Sequence, residues 1–157
     1  MFRSRSHDTL FFIAILATLF SLAPGLAHLF EMPRKLGLPR DAYFTVQQIY
    51  SGWELFGFVI AVQLAVLVLL VWRGRREYYV FRPALAALLF LIAAQILFWT
   101  FTFPANLATD NWTLKPADWE DLRLSWEYSH AAGALCQLFG LLGLIGALFT
   151  RIKLGAR

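Results

Sequence analysis

Four apolar runs, at about 10–30, 49–72, 83–103 and 128–150, govern what this chain can become. Each is long enough to cross a hydrocarbon core, which takes roughly 20 residues of α-helix. Hydrophobic residues make up 59% of the chain and mean hydropathy is +0.60, well above a soluble domain, whose apolar share is roughly 45–50% even with glycine included. The expected fold is an all-α membrane protein: an antiparallel four-transmembrane-helix bundle forming a single domain over residues 1–157.

The basic residues orient that bundle. Arg3 and Arg5 precede the first run, Arg73, Arg75, Arg76 and Arg82 fill the second connection, and Arg151, Lys153 and Arg157 close the chain. The other two connections hold only Arg34, Lys35, Arg40, Lys115 and Arg123, diluted by acidic residues. Positive charge concentrates on the cytoplasmic side of membrane proteins, so both termini are expected inside. The net charge of +4 follows from such loops and calls for no nucleic acid as a partner. The localisation expected from this pattern is a bacterial inner (cytoplasmic) membrane.

The two outer connections read as helix starts. Pro39 and Pro116 suit a first turn, with Asp41 and then Asp118, Glu120 and Asp121 at the positive helix end. A helix from position 39 to 72 would run about 50 Å at 1.5 Å per residue, past a core of about 30 Å. Helices 2 and 4 are therefore expected to extend on the outer side.

Polar residues collect at that outer boundary. His28-x-x-Glu31 ends the first run, Glu54 lies about one turn inside the second, Asn106 follows the third, and Glu127-x-x-His130 opens the fourth. Side chains three apart share a helix face, and Glu-x-x-His is the spacing by which carboxylate-bridged dimetal proteins present ligands from a four-helix bundle. His28, Glu31, Glu54, Glu127 and His130 are thus candidate ligands for one or two ions of iron or another divalent transition metal, the metals that suit carboxylate with imidazole. Glu54, His130, Arg123 and Asn106 are the candidate catalytic residues. Glu54 stands out because a carboxylate inside a span costs roughly 2.5–3.5 kcal/mol and normally faces a partner or a cavity.

Bland readings compete at each position. Residues at span ends commonly face headgroups, and Trp53, Trp99, Trp112, Trp119 and Trp126 suit an interfacial aromatic belt. Gln63, Gln95 and Gln137 lie deeper and are expected to hydrogen-bond between helices. The single cysteine, Cys136, reads as an apolar packing thiol. No Walker loop, dinucleotide fingerprint or nucleophile elbow is present in the sequence.

The stretch Ala27-His28-Leu29-Phe30-Glu31-Met32-Pro33-Arg34-Lys35-Leu36, then Gln47-Gln48-Ile49-Tyr50, Asn106 and Trp126-x-x-x-His130, resembles small membrane proteins grouped with the anthrone oxygenases. That resemblance implies an oxygen-dependent oxidation of a lipid-soluble aromatic substrate. Two mechanisms are open. A His/Glu metal site activates oxygen, or a metal-free site uses Glu54 or His130 as general base, with Arg123 stabilising the anion. The same polar layer is compatible with a b-type haem held by His28 and His130, and with a non-enzymatic membrane subunit. The expected partners are membrane lipid and a hydrophobic small molecule, with a second copy of the chain or a membrane redox partner as further candidates.

Overall fold

The computed structural model describes residues 5–155. Arg3 and Arg157, and the side chains of Arg5 and Arg151, which enter the charge count above, lie outside the described residues. Helix α1 runs over Arg5–Lys35, α2 over Arg40–Gln47, α3 over Phe56–Gly74, α4 over Tyr78–Leu97, α5 over Phe103–Ala108 and α6 over Trp119–Gly155. There is no strand among the described residues. Four segments are long and apolar enough to cross a membrane: Asp8–Lys35, Trp53–Gly74, Tyr78–Ala108 and Trp119–Thr150. The chain is an integral membrane protein built as a four-helix bundle.

The long helices close a ring in which α1 packs on α3 and α6, and α4 packs on the same two. Phe11, Ala14, Leu67, Leu70, Val80, Ala84, Leu91 and Leu144 form the apolar core at the end where α3 turns into α4. Gly74 is required at that turn, because a Cβ there would lie 2.3 Å from Val80 Cγ1. Helices α1 and α6 approach closely at Gly25, where an added Cβ would stand 3.2 Å from that of Ala134. Small residues of this kind let backbones meet where lipid supplies no hydrophobic drive between helices.

Mid-bundle, Gln63 Nε2 donates to Thr18 Oγ1 at 3.0 Å and to Gln137 Oε1 at 2.8 Å, while Ser21 Oγ donates to Gln63 Oε1 at 2.7 Å. The expected interhelical bonds of Gln63 and Gln137 are therefore present. Gln95 instead lines a groove of about 360 Å³ between α3 and α4, together with Ile60, Ile92 and Trp99.

The segments entering the second and fourth spans differ in continuity. Helix α6 is a single 37-residue rod, which begins at Trp119 because Pro116–Asp118 form a preceding turn, with Trp119 N donating to Pro116 O at 3.3 Å. The segment entering the second span is broken. After α2, Gln48–Tyr50 and Trp53–Leu55 form 3-10 turns, and Gly52 sits between them at φ 89°. Only glycine adopts that left-handed conformation freely, so Ser51-Gly52 stops the helix that length alone would continue from position 39 to 72. The third span contains a π-helical turn at Phe98–Thr102, just ahead of Pro104. Pro104 has no N–H to donate one turn back, and a π-turn is one way a helix absorbs such a loss.

Candidate functional site

Helix α1 carries His28, Glu31 and Lys35 along one side of its last two turns, and α6 carries Arg123, Glu127 and His130 near its N-terminal end. The two sets meet. Lys35 Nζ lies 2.8 Å from Glu127 Oε1, and both side chains are almost fully buried, at 4% and 0% exposure. Tyr43 of α2 donates its hydroxyl to the same Glu127 oxygen at 2.9 Å, and Gln47 Nε2 donates to Tyr43 Oη at 2.7 Å. The short helix α2 thus places two polar side chains over the open end of the bundle, and its Tyr43 and Phe44 are buried for the same reason.

Lys35 sits in an aromatic cage. Its ammonium is 4.5 Å from the Trp126 ring centre, 4.7 Å from that of Tyr50 and 5.7 Å from that of Tyr43. Ring faces are negative, so such a cage holds a cation away from water. Burial, then the charge of Glu127, pushes the Tyr43 phenol above its ordinary range, so it remains a proton donor to Glu127.

Beside the ion pair, His28 and His130 face each other across the α1–α6 interface with ring centres 4.5 Å apart. His28 also contacts Tyr50 at 4.4 Å, Trp126 at 4.8 Å and Trp53 at 5.4 Å. His130 Nδ1 is 2.9 Å from the Trp126 carbonyl oxygen. A carbonyl only accepts, so Nδ1 carries the proton and Nε2 is left as the basic nitrogen. His28 Nδ1, Glu127 Oε2, Gln47 Oε1 and Arg123 Nε are buried with no hydrogen-bond partner among the described residues. Buried polar atoms are normally satisfied, so these four are exceptions.

Searches of protein-family models, of curated proteins and of solved structures return no match to this chain. The site therefore has to be read from its own chemistry.

Of the residues expected from the sequence, His28, Glu31, Glu127 and His130 lie in or beside this cluster. Glu31 accepts a hydrogen bond from Tyr50. The other three have different surroundings. Glu54 is exposed on the 3-10 turn before α3, because the break at Gly52 turns it away from the position it would hold in a continuous helix. Asn106 is a structural acceptor: its Oδ1 receives Trp126 Nε1 at 2.9 Å and Trp112 Nε1 at 3.2 Å. Arg123 donates to the Leu38 carbonyl at 3.0 Å and stacks 4.6 Å from the Trp119 ring, tying α6 to the α1–α2 connection.

These placements bear on the metal expectation. Among the described residues no three side chains of His, Cys, Asp or Glu are grouped to hold an ion. Glu127 is engaged by Lys35 and Tyr43, and Glu31 by Tyr50. His28 and His130 remain a pair. A 4.5 Å ring separation also leaves no slot for a porphyrin between them, so the donors do not fit axial haem ligation.

Lys35, Tyr43, Gln47 and Tyr50 join the site without being among the candidate residues above, although Gln47 and Tyr50 share a helical stripe with Glu54 in the sequence. Lys35 has a legible signal, since it stands seven residues after His28, two helical turns along the same face. Two of the tryptophans assigned to a belt, Trp112 and Trp126, are only 4% exposed and belong to the site's wall. Trp112 holds its place although Asp110, Asn111 and Trp112 all have positive φ, at 45°, 51° and 67°. That strained turn is held by Gln48 Nε2 donating to the Trp112 carbonyl at 2.9 Å and by the Trp112 amide donating to Thr109 Oγ1 at 3.1 Å.

Proposed function

We propose that the chain is a membrane oxidoreductase of the oxygenase type, in which the His28/His130 pair removes a proton from a lipid-soluble, acidic aromatic substrate. The supporting observation is the facing histidine pair, with the basic Nε2 of His130 set by the Trp126 carbonyl. A methylene between an aromatic ring and a carbonyl-bearing ring gives up its proton to His130, leaving an electron-rich anion. Lys35, paired with Glu127, lies over the Trp126 ring that also contacts both histidines. Oxygen then takes electrons from the anion, and the net change converts CH2 to C=O, consuming one O2 and releasing one water. The resemblance to the anthrone oxygenases points to the same reaction class. Both termini face the cytoplasm in this reading, which follows the distribution of basic residues and puts the site near the outer face of the inner membrane.

The same 4.5 Å approach favours a second reading, in which His28 and His130 share one iron or similar divalent ion and Glu31 leaves Tyr50 to join them. One experiment separates the two. Oxygen uptake by detergent-purified protein is followed with an anthrone, before and after exhaustive chelation, together with elemental analysis. Proton-transfer catalysis predicts uptake above the protein-free rate that survives chelation and is lost in His130→Ala. Uptake that disappears on chelation and returns with a stoichiometric metal moves the assignment to the second reading, and no uptake under either condition sinks both.

A further inference from the structure

At the end of the bundle remote from the histidines, a second groove of about 220 Å³ opens between the start of α4 and the end of α6. It is lined by Tyr78, Tyr79, Arg82, Pro83, Ala147 and Thr150. We infer that this groove binds an anionic phospholipid, with the phosphate on Arg82 and the upper acyl chain along Pro83 and Ala147.

Charge complementarity selects that occupant. The described side chains at this end include Arg73, Arg75, Arg76, Arg82 and Lys153 against Asp8 and Glu77, an excess that favours an anion at the membrane surface, where each Lys or Arg contributes about 1 kcal/mol. Arg82 is held for the purpose. Its guanidinium donates through Nη1 to the Tyr78 hydroxyl and stacks 5.0 Å from the Tyr78 ring centre. That contact fixes the planar fork, and among the described residues its other donors have no further partner, so they can take a phosphate, which a guanidinium binds with two parallel bonds. Arg75 is fixed in a similar way, through its bond of 2.7 Å to the Trp72 carbonyl and its position 5.2 Å from the Trp72 ring.

Depth selects a lipid over a free phosphate. Trp72, Tyr78 and Tyr79 are exposed at this level, as are Phe149 and Ile152 on the adjoining turn of α6. Aromatic side chains of this kind mark the headgroup boundary. One wall of the groove is thus an apolar surface running toward the hydrocarbon, and the other is a cation at its rim. A zwitterionic lipid brings its own ammonium to that cation and gains less.

The test is native mass spectrometry of the full-length protein released from detergent containing equal amounts of phosphatidylglycerol and phosphatidylcholine with identical chains. The expected result is a retained phosphatidylglycerol adduct in clear excess. Arg82→Gln should weaken it about fivefold, the equivalent of about 1 kcal/mol for one surface cation. Thr150→Trp, which fills the groove without altering charge, should displace it. Arg34→Gln at the opposite end should leave it unchanged. Equal retention of the two lipids, retention unaffected by both groove variants, or displacement by millimolar inorganic phosphate would overturn the inference. If Arg82→Gln fails to fold, the wild-type lipid preference and Thr150→Trp still decide it.

Discussion

Replacing Lys35 by Met leaves Glu127 buried with its charge uncompensated, and the loss should be large. Glu127 Oε1 then keeps only the Tyr43 hydroxyl at 2.9 Å, and Oε2 already has no partner among the described residues. Breaking a buried pair from one side typically costs 3–5 kcal/mol. For a chain of 157 residues, at about 2–4 °C per kcal/mol, Lys35→Met should lower Tm by roughly 6–20 °C. Replacing both partners removes the orphan. Lys35→Met/Glu127→Leu should regain most of the lost stability, because a buried ion pair exchanged for apolar side chains of similar size is often neutral. Thermal unfolding in one detergent, followed by tryptophan fluorescence, reads the parent, Lys35→Met, Glu127→Leu and the double variant. If the double variant is as unstable as the sum of the two singles, Lys35 and Glu127 are not coupled and the site's electrostatic frame is wrong.

Gln137→Leu removes one of the two acceptors of Gln63 Nε2 and should destabilise by about 0.6–2 kcal/mol, the range for polar contacts between membrane helices; no change in Tm would show that the mid-bundle layer is not formed. Gly52→Ala should cost about 1–2 kcal/mol through backbone strain alone, since nothing lies within 4 Å of the added Cβ, and a neutral result would mean that the chain does not turn at Gly52. Lys115 lies 2.7 Å from Asp41 and holds its carboxyl below the ordinary value, through the hydrogen bond and then its charge. The stabilisation linked to Asp41 is therefore complete above the usual carboxylate range and disappears as pH falls through the depressed folded value. Carboxyl NMR should show Asp41 titrating at higher pH in Lys115→Ala than in the parent.

The four spans are readable because lipid requires long apolar runs, and charged residues bracket them in this sequence. Their ends are not. The third span begins at Tyr78 and reaches Ala108 because Tyr78–Phe81 with Arg82 on one side and the uncharged residues to Ala108 on the other extend the helix beyond the strictly apolar stretch, with the π-turn absorbing Pro104. Length alone misjudges the outer part of helix 2, because the Ser51-Gly52 turn signal outweighs it. At the site, the i, i+3 spacing finds His28, Glu31, Glu127 and His130. Depth along the span places Glu54 wrongly because that position depends on the same break. Tyr43 is hidden for a different reason: the sequence reads it as part of one continuous helix 2, and only the folding of the separate α2 across the bundle end brings it to Glu127, whereas Lys35, on the same face of α1 as His28, reaches Glu127 through the α1–α6 packing. Asn106 is correctly placed in depth, but its partners are two indoles, which no spacing rule reveals.

The central claim is that His130 takes a proton from the substrate, and this is open to measurement without oxygen or turnover. Under anaerobic conditions in D2O with chelator present, NMR follows exchange of the acidic methylene protons of an anthrone in the presence of purified protein. Proton abstraction by His130 gives catalysed exchange that falls by about 100-fold or more in His130→Gln, the usual contribution of a positioned base. Exchange that is no faster than in protein-free detergent, or equally fast in His130→Gln, would contradict it.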